Sequence, residues 1–198
     1  MASSARLFIA VPIAPPVKRT LEEWTRQLSN ELPFRKWTHP LDYHITLQFL
    51  GETSPETRSQ IDQALPGVAA MHPPFVLSLG KLGYFGPNRS PQILWAGVEG
   101  ETAPLLSLHR STVQAMQKLG FMPEDRPYRA HITLARKYIG SAPWPSSSLP
   151  GMLSTEDLET AWSVNEIVLY QSHSGQRPMY ETLSTYPLAG NTLNDPTK

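Results

Sequence analysis

His44-Ile45-Thr46-Leu47 and His131-Ile132-Thr133-Leu134 are one four-residue word written twice. Its reading decides the fold. Isoleucine and threonine are β-branched, and apolar and polar positions alternate, so each copy predicts a short strand. Side chains at i and i+2 share one face of a strand. His44 therefore shares a face with Thr46, and His131 with Thr133, while Ile45, Leu47, Ile132 and Leu134 point toward a core. Two such strands can surround one small anion with two imidazoles and two hydroxyls, which suits acid–base chemistry on a phosphate.

Outward from the two words the chain alternates strands and helices. Arg6–Val11 predicts a first strand, and Pro15 to Leu28 a helix whose stripe is Val17, Leu21, Trp24 and Leu28. The first histidine strand ends at Gly51, and Thr53 or Ser54 caps a second helix with Pro55 in its first turn. Ile61 and Leu65 share that helix's apolar face, and Pro66-Gly67 weakens its end. Phe75–Leu82 and Ile93–Val98 predict two strands separated by the turn segment Gly86-Pro87-Asn88-Arg89. A third helix is expected from Pro104 to Leu119, with Gly120 as its stop. Beyond the second histidine strand, Lys137–Ser154 carries Pro143, Pro145, Pro150 and three consecutive serines, the composition of a long loop. Val164–Tyr170 and Tyr180–Leu188 predict two closing strands. The expected organisation is one domain over 1–189 and a disordered polar tail over 190–198.

Composition excludes several classes of protein. A chain of 198 residues that is 40% hydrophobic can bury a full core. No run approaches the length of a membrane-spanning helix. Leu7–Val11 is too short for the core of a signal peptide, so a cytoplasmic protein is expected. With no cysteine there are neither disulfides nor thiolate metal sites. A formal net charge of zero argues against a broad phosphate-backbone footprint and leaves room for a local basic pocket.

That pocket is expected around the second word, where Arg126, Arg129, Arg136 and Lys137 gather, partly offset by Glu124 and Asp125. Arg126 and Lys137 read as ordinary surface charges. Arg136 lies five residues beyond His131. This odd offset places it on the wrong face unless a bulge or the strand end turns it inward. Histidine is also a common metal ligand. However, a His-x-Thr pair supplies one good ligand per word, and Asp42 is the only carboxylate immediately beside either histidine. No His-Glu-x-x-His, glycine-rich phosphate loop or Gly-x-Ser-x-Gly elbow is present. Neither a metal nor a cofactor is expected.

The paired words, the strand Arg6-Leu7-Phe8-Ile9-Ala10, the extension Phe49-Leu50-Gly51-Glu52 and the segment Arg126–Arg136 together resemble the 2H phosphoesterase superfamily. Within it the chain looks most like the bacterial RNA 2′,3′-cyclic phosphodiesterases, also called 2′-5′ RNA ligases. The resemblance covers Arg6 to Leu188. It departs at Ala130, where many relatives have proline, and at Tyr43, where leucine is common. It implies an α+β, bilobal fold, with two pseudo-symmetric antiparallel sheets facing a central cleft and helices outside. It also implies metal-independent hydrolysis of RNA 2′,3′-cyclic phosphate ends to 2′-phosphate ends. His44 would be the proton donor to the leaving oxygen and His131 the base that activates water. Thr46, Thr133 and Arg136 would stabilise the transition-state charge. Pseudo-symmetry alone allows the two histidine roles to be exchanged. Tyr128, beside the second word, and Phe8 are candidates for stacking a base. The alternatives are the reverse reaction, joining a cyclic end to a 5′-hydroxyl through a 2′-5′ linkage, and a non-catalytic RNA-end or nucleotide-binding module. Expected partners are RNA ends, tRNA fragments among them, bound by a monomer away from membranes.

Overall fold

Five consecutive buried residues, Leu7 to Val11, mark β1 (Ala5–Pro12) as a strand covered on both faces. A computed structural model describes residues 4–141, 144 and 160–189 of the chain. In it β1 lies near the middle of one antiparallel sheet, between β3 (His44–Thr53) and β8 (Glu166–Ser172). The other strands are β2 (Phe34–Trp37), β4 (Phe75–Phe85), β5 (Ile93–Gly100), β6 (His131–Tyr138), β7 (Ala161–Val164) and β9 (Tyr180–Pro187). The strand order is β7-β4-β5-β6-β3-β1-β8-β9, and β2 pairs with β6 beside that path.

The two expected halves are visible in this order. One is β3-β1-β8-β9 and the other β7-β4-β5-β6 with β2. They meet through one residue pair, Ile45 opposite Ile132, at the centre of the two repeated words. β7 and β8 stand near opposite ends of the order, yet only Asn165 separates them in sequence. Consecutive Cα atoms lie only about 3.8 Å apart, so the sheet must curl until its ends approach.

The three α-helices among the described residues follow their sequence signals. α1 (Pro15–Ser29) buries Val17, Leu21, Trp24 and Leu28. In α2 (Pro55–Ala70), the Ser54 hydroxyl accepts from the Thr57 N–H and Pro55 occupies the first turn. α2 continues through Pro66 to Ala70, because burial of Val68 and Ala69 outweighs the backbone bond that proline removes. α3 (Thr102–Gln117) starts two residues before the expected Pro104. A proline within the first turn forfeits no helical bond.

Two further differences have local causes. The single strand expected over Val164–Tyr170 is divided at Asn165, whose carbonyl accepts from the Leu188 N–H at 2.8 Å. The apolar alternation runs through the break, so periodicity could not reveal it. Within the expected loop Lys137–Ser154, Lys137 and Tyr138 still belong to β6. Trp144 is buried against Phe34, Tyr84 and Tyr138. Most of the remaining loop, 142–143 and 145–154, lies outside the described residues, as does the expected tail 190–198.

Candidate active site

The seam between the halves builds the site. Continuing the antiparallel register one residue either side of Ile45 and Ile132 sets His44 opposite Thr133 and Thr46 opposite His131. Opposed side chains start about 5 Å apart and diagonal ones about 7–8 Å. The four polar groups thus start from the corners of a rectangle with the imidazoles at diagonal corners, and two of them, His44 and Thr133, line the cleft beside it. Ile45 and Ile132 have no exposed surface, and this fixes the opposite, polar face toward the cleft.

Each imidazole is held in the same way. The Nδ1 of His44 lies 2.7 Å from the carbonyl oxygen of Asp42, and that of His131 lies 2.7 Å from the carbonyl of Arg129. A carbonyl has no proton to give, so each Nδ1 is the donor. In the neutral rings the reactive lone pair is therefore on Nε2. His44 Nε2 is 3.1 Å from the Thr46 hydroxyl, which donates to it in that form. Aromatic rings support both histidines. Phe8 and Tyr180 lie 4.9 and 5.1 Å from His44, and Phe85 lies edge-on to His131 at 4.9 Å.

Burial in this setting disfavours the charged imidazolium. It pulls His44 down to about 4, with the Arg136 charge adding to the effect and the Asp42 carbonyl opposing it. His131 is also lowered, chiefly by desolvation and then by Arg136, against the pull of the Arg129 carbonyl. Both rings lean toward neutral.

A bulge aims Arg136. Leu94 pairs with Ala135 but Trp95 pairs with Thr133, so Leu134 is the extra residue on β6. Leu134 and Ala135 are consecutive buried residues, and after them the face alternation is reversed. Arg136 consequently lines the cleft, where its charge bears on Tyr180 as well as on the two histidines. β3 repeats the device: Ile9 pairs with Gln48 and Ala10 with Thr46, leaving Leu47 extra and both Leu47 and Gln48 buried. The residue five beyond His44 is therefore Phe49, 57% exposed and facing the same cleft. One end of the quartet carries a guanidinium and the other an aromatic ring.

The cleft encloses about 780 Å³. Among its described lining residues Asp42 is the one acid. Its carboxylate, 6% exposed as a residue, accepts from the Met179 N–H (3.0 Å to each oxygen) and the Tyr180 N–H (3.2 Å). This clamp fixes the start of β9 and holds Tyr180 against His44. Asp42→Ala leaves those N–H groups without their acceptor, and a stability loss of roughly 1–3 kcal/mol is expected. An unchanged denaturant midpoint would show that the clamp carries no stability.

Neither aromatic expected from sequence offers a free face. Phe8 is 3% exposed and packed among His44, Tyr170 and Tyr180. Tyr128 is stacked on His109 at 3.7 Å with a 12° interplanar angle, and its hydroxyl donates to the Thr46 carbonyl. Phe49 was readable from its offset, which matches that of Arg136. Tyr180 had no local signal, since it reaches the site from the last strand.

A family pattern described as LigT like Phosphoesterase matches residues 11–95 and 97–180 of the chain. The chain is 42% identical over 183 residues to the RNA 2′,3′-cyclic phosphodiesterase of Geobacillus stearothermophilus, covering 92% of this chain and 57% of the relative. It thus spans little more than half the length of that relative. The Bacillus subtilis RNA 2′,3′-cyclic phosphodiesterase is 34% identical, with 92% and 96% covered. A solved structure from Thermus thermophilus, TT0787, superposes with a TM-score of 0.72 at 28% identity, covering 93% of this chain and 98% of the other. Escherichia coli LigT complexed with 3′-AMP shares the fold, with a TM-score of 0.73 at 24% identity, covering 93% and 98%. The family pattern spans both halves of the sheet and both histidine words, and the chain belongs to the LigT-like phosphoesterase family.

Proposed function

We propose that this phosphoesterase hydrolyses RNA 2′,3′-cyclic phosphate ends to 2′-phosphate ends by two-histidine acid–base catalysis. The diagonal placement of two imidazoles, each tied through Nδ1 to a backbone carbonyl, carries the reading. A cyclic phosphate seated between them has one Nε2 on either side of phosphorus. His131 takes the proton of the attacking water, and the bond from water oxygen to phosphorus forms. The bond from phosphorus to the ribose 3′-oxygen breaks, and His44 supplies the proton that this oxygen needs. The hydroxyls of Thr46 and Thr133 and the Arg136 guanidinium bind the non-bridging oxygens, whose charge grows in the transition state. The anionic substrate also favours the imidazolium that burial disfavours, so binding loads the acid.

Phe49 is the aromatic best placed to stack the base beside the cyclic phosphate, ahead of Phe8 and Tyr128, because its ring alone of the three is largely exposed. The reading places the protein in the cytoplasm as a monomer acting on RNA ends, those of tRNA fragments included, and away from membranes. Among the described residues no helix is long and apolar enough to cross a membrane, and no group of three or more His, Asp or Glu residues could hold a metal ion.

The test is incubation with a 2′,3′-cyclic-phosphate oligonucleotide in EDTA, with and without a 5′-hydroxyl strand, followed by product analysis. The expected product is a 2′-phosphate end, formed at the same rate with chelator. A 2′-5′-linked product as the main species would favour ligation instead. Loss of activity on chelation, with recovery by one ion, would overturn the metal-independent mechanism.

A further inference from the structure

β2 joins the half of the sheet opposite to that of β1 and β3, its neighbouring strands in sequence. Its sequence position is between α1 and β3, yet it hydrogen-bonds to β6. The Thr38 N–H donates to the Leu134 carbonyl and the Ile139 N–H to the Pro33 carbonyl, both at 2.9 Å, so the register is locked at both ends. That register sets Lys36 directly opposite Arg136. Directly opposed residues of an antiparallel pair share a face, with Cβ atoms about 5 Å apart, and like charges there are destabilising. Both residues line the cleft, and neither forms an ion pair with a carboxylate among the described residues. The fold thus bears a repulsion that an anion in the cleft would relieve.

The two cations are not equivalent. The Arg136 charge bears on both histidine imidazoles. Lys36 stands on the neighbouring strand β2, one strand farther from the paired histidine words. Arg6, Arg35 and Arg177 also line the cleft, and Asp42, the one acid among its described lining residues, is engaged by backbone N–H groups. Five cations exceed what one cyclic phosphate needs.

Resting on the function proposed above, we propose that Lys36 is a second phosphate site, binding the phosphodiester one nucleotide upstream of the cyclic end. The preferred substrate is then a strand end of two or more nucleotides, not a 2′,3′-cyclic mononucleotide.

The experiment compares a dinucleotide carrying a 2′,3′-cyclic phosphate with the cyclic mononucleotide, in the natural protein, Lys36→Gln and Lys36→Arg. The ratio of their kcat/KM values is expected to favour the dinucleotide in the natural protein. It should fall about tenfold in Lys36→Gln, mainly through KM, and stay largely intact in Lys36→Arg. Binding of the 2′-phosphate dinucleotide should become less salt-dependent in Lys36→Gln, because one charge–charge contact is lost. Lys36→Gln should melt no lower than the natural protein, because the opposed like charges are gone. An unchanged ratio in Lys36→Gln, whether both substrates suffer equally or neither suffers, would overturn the second site. Should the natural protein hydrolyse neither substrate, the hydrolytic reading fails. Lys36-dependent preference for the dinucleotide in binding would then still support the site, and its absence would remove the site as well.

Discussion

His44→Ala and His131→Ala are each expected to lower turnover by roughly 10²–10⁴-fold, and a sulfur leaving group should rescue only the first. The quartet is nearly symmetric, with each imidazole fixed by one carbonyl and each word supplying one hydroxyl. Loss of either ring thus removes one of two proton transfers. The transfers differ in what can replace them. A thiolate leaves readily without a proton, so a cyclic substrate with sulfur at the 3′-bridging position no longer needs the acid. If His44 is that acid, His44→Ala recovers much of its lost rate on the thio substrate. His131→Ala gains nothing comparable, because its water still lacks a base. Rescue of His131→Ala alone would reverse the roles, and rescue of neither would mean that leaving-group protonation does not limit the rate.

The pH dependence separates the free protein from its complex. Burial and Arg136 hold both imidazoles below the ordinary histidine value, so the bell in kcat/KM should peak on the acid side of pH 6.5. The substrate anion favours the charged ring, so the profile of kcat should lie at higher pH. Coincident profiles would show that the phosphate does not sit between the rings.

Much of this site was legible in the chain because its information is local. The word His-Ile-Thr-Leu states strand, face and chemistry in four residues, and its repetition states that two strands cooperate. The need to turn Arg136 inward was also readable, since five is an odd number and a regular strand cannot do it. The bulge that does so leaves Leu134 and Ala135 both buried, a pattern visible in sequence only as two adjacent apolar residues. In β3 the same offset of five leads from His44 to Phe49, but its bulge buries Leu47 and the polar Gln48 and so leaves no apolar pair to read. What was not legible depends on pairing between distant segments. β2 has four residues and no alternation of its own, and its register against β6 alone brings Lys36 to Arg136. Tyr180 and the clamp on Asp42 arise because the curled sheet returns β9 to the first histidine strand. Asn165 was missed because one residue can change sheet position without disturbing periodicity.

Arg136→Ala is expected to lower kcat by roughly 10²-fold with a much smaller change in KM, because the guanidinium serves charge that develops only in the transition state. The same substitution carries a second signature that a merely structural residue would not produce. The Arg136 charge helps to hold both imidazoles low, so its removal lets both rise. The sign follows directly: both limbs of the kcat/KM profile move to higher pH. Arg136→Lys divides the two effects. A lysine keeps the positive charge, so the profile should stay near its original position. It lacks the planar fork that can bind two non-bridging oxygens at once, so kcat should still fall. Wild-type turnover in Arg136→Ala would show that the bulge aims this side chain at the cleft without bringing it to phosphorus. A fall in turnover with no movement of the pH profile would place its action away from the two histidines.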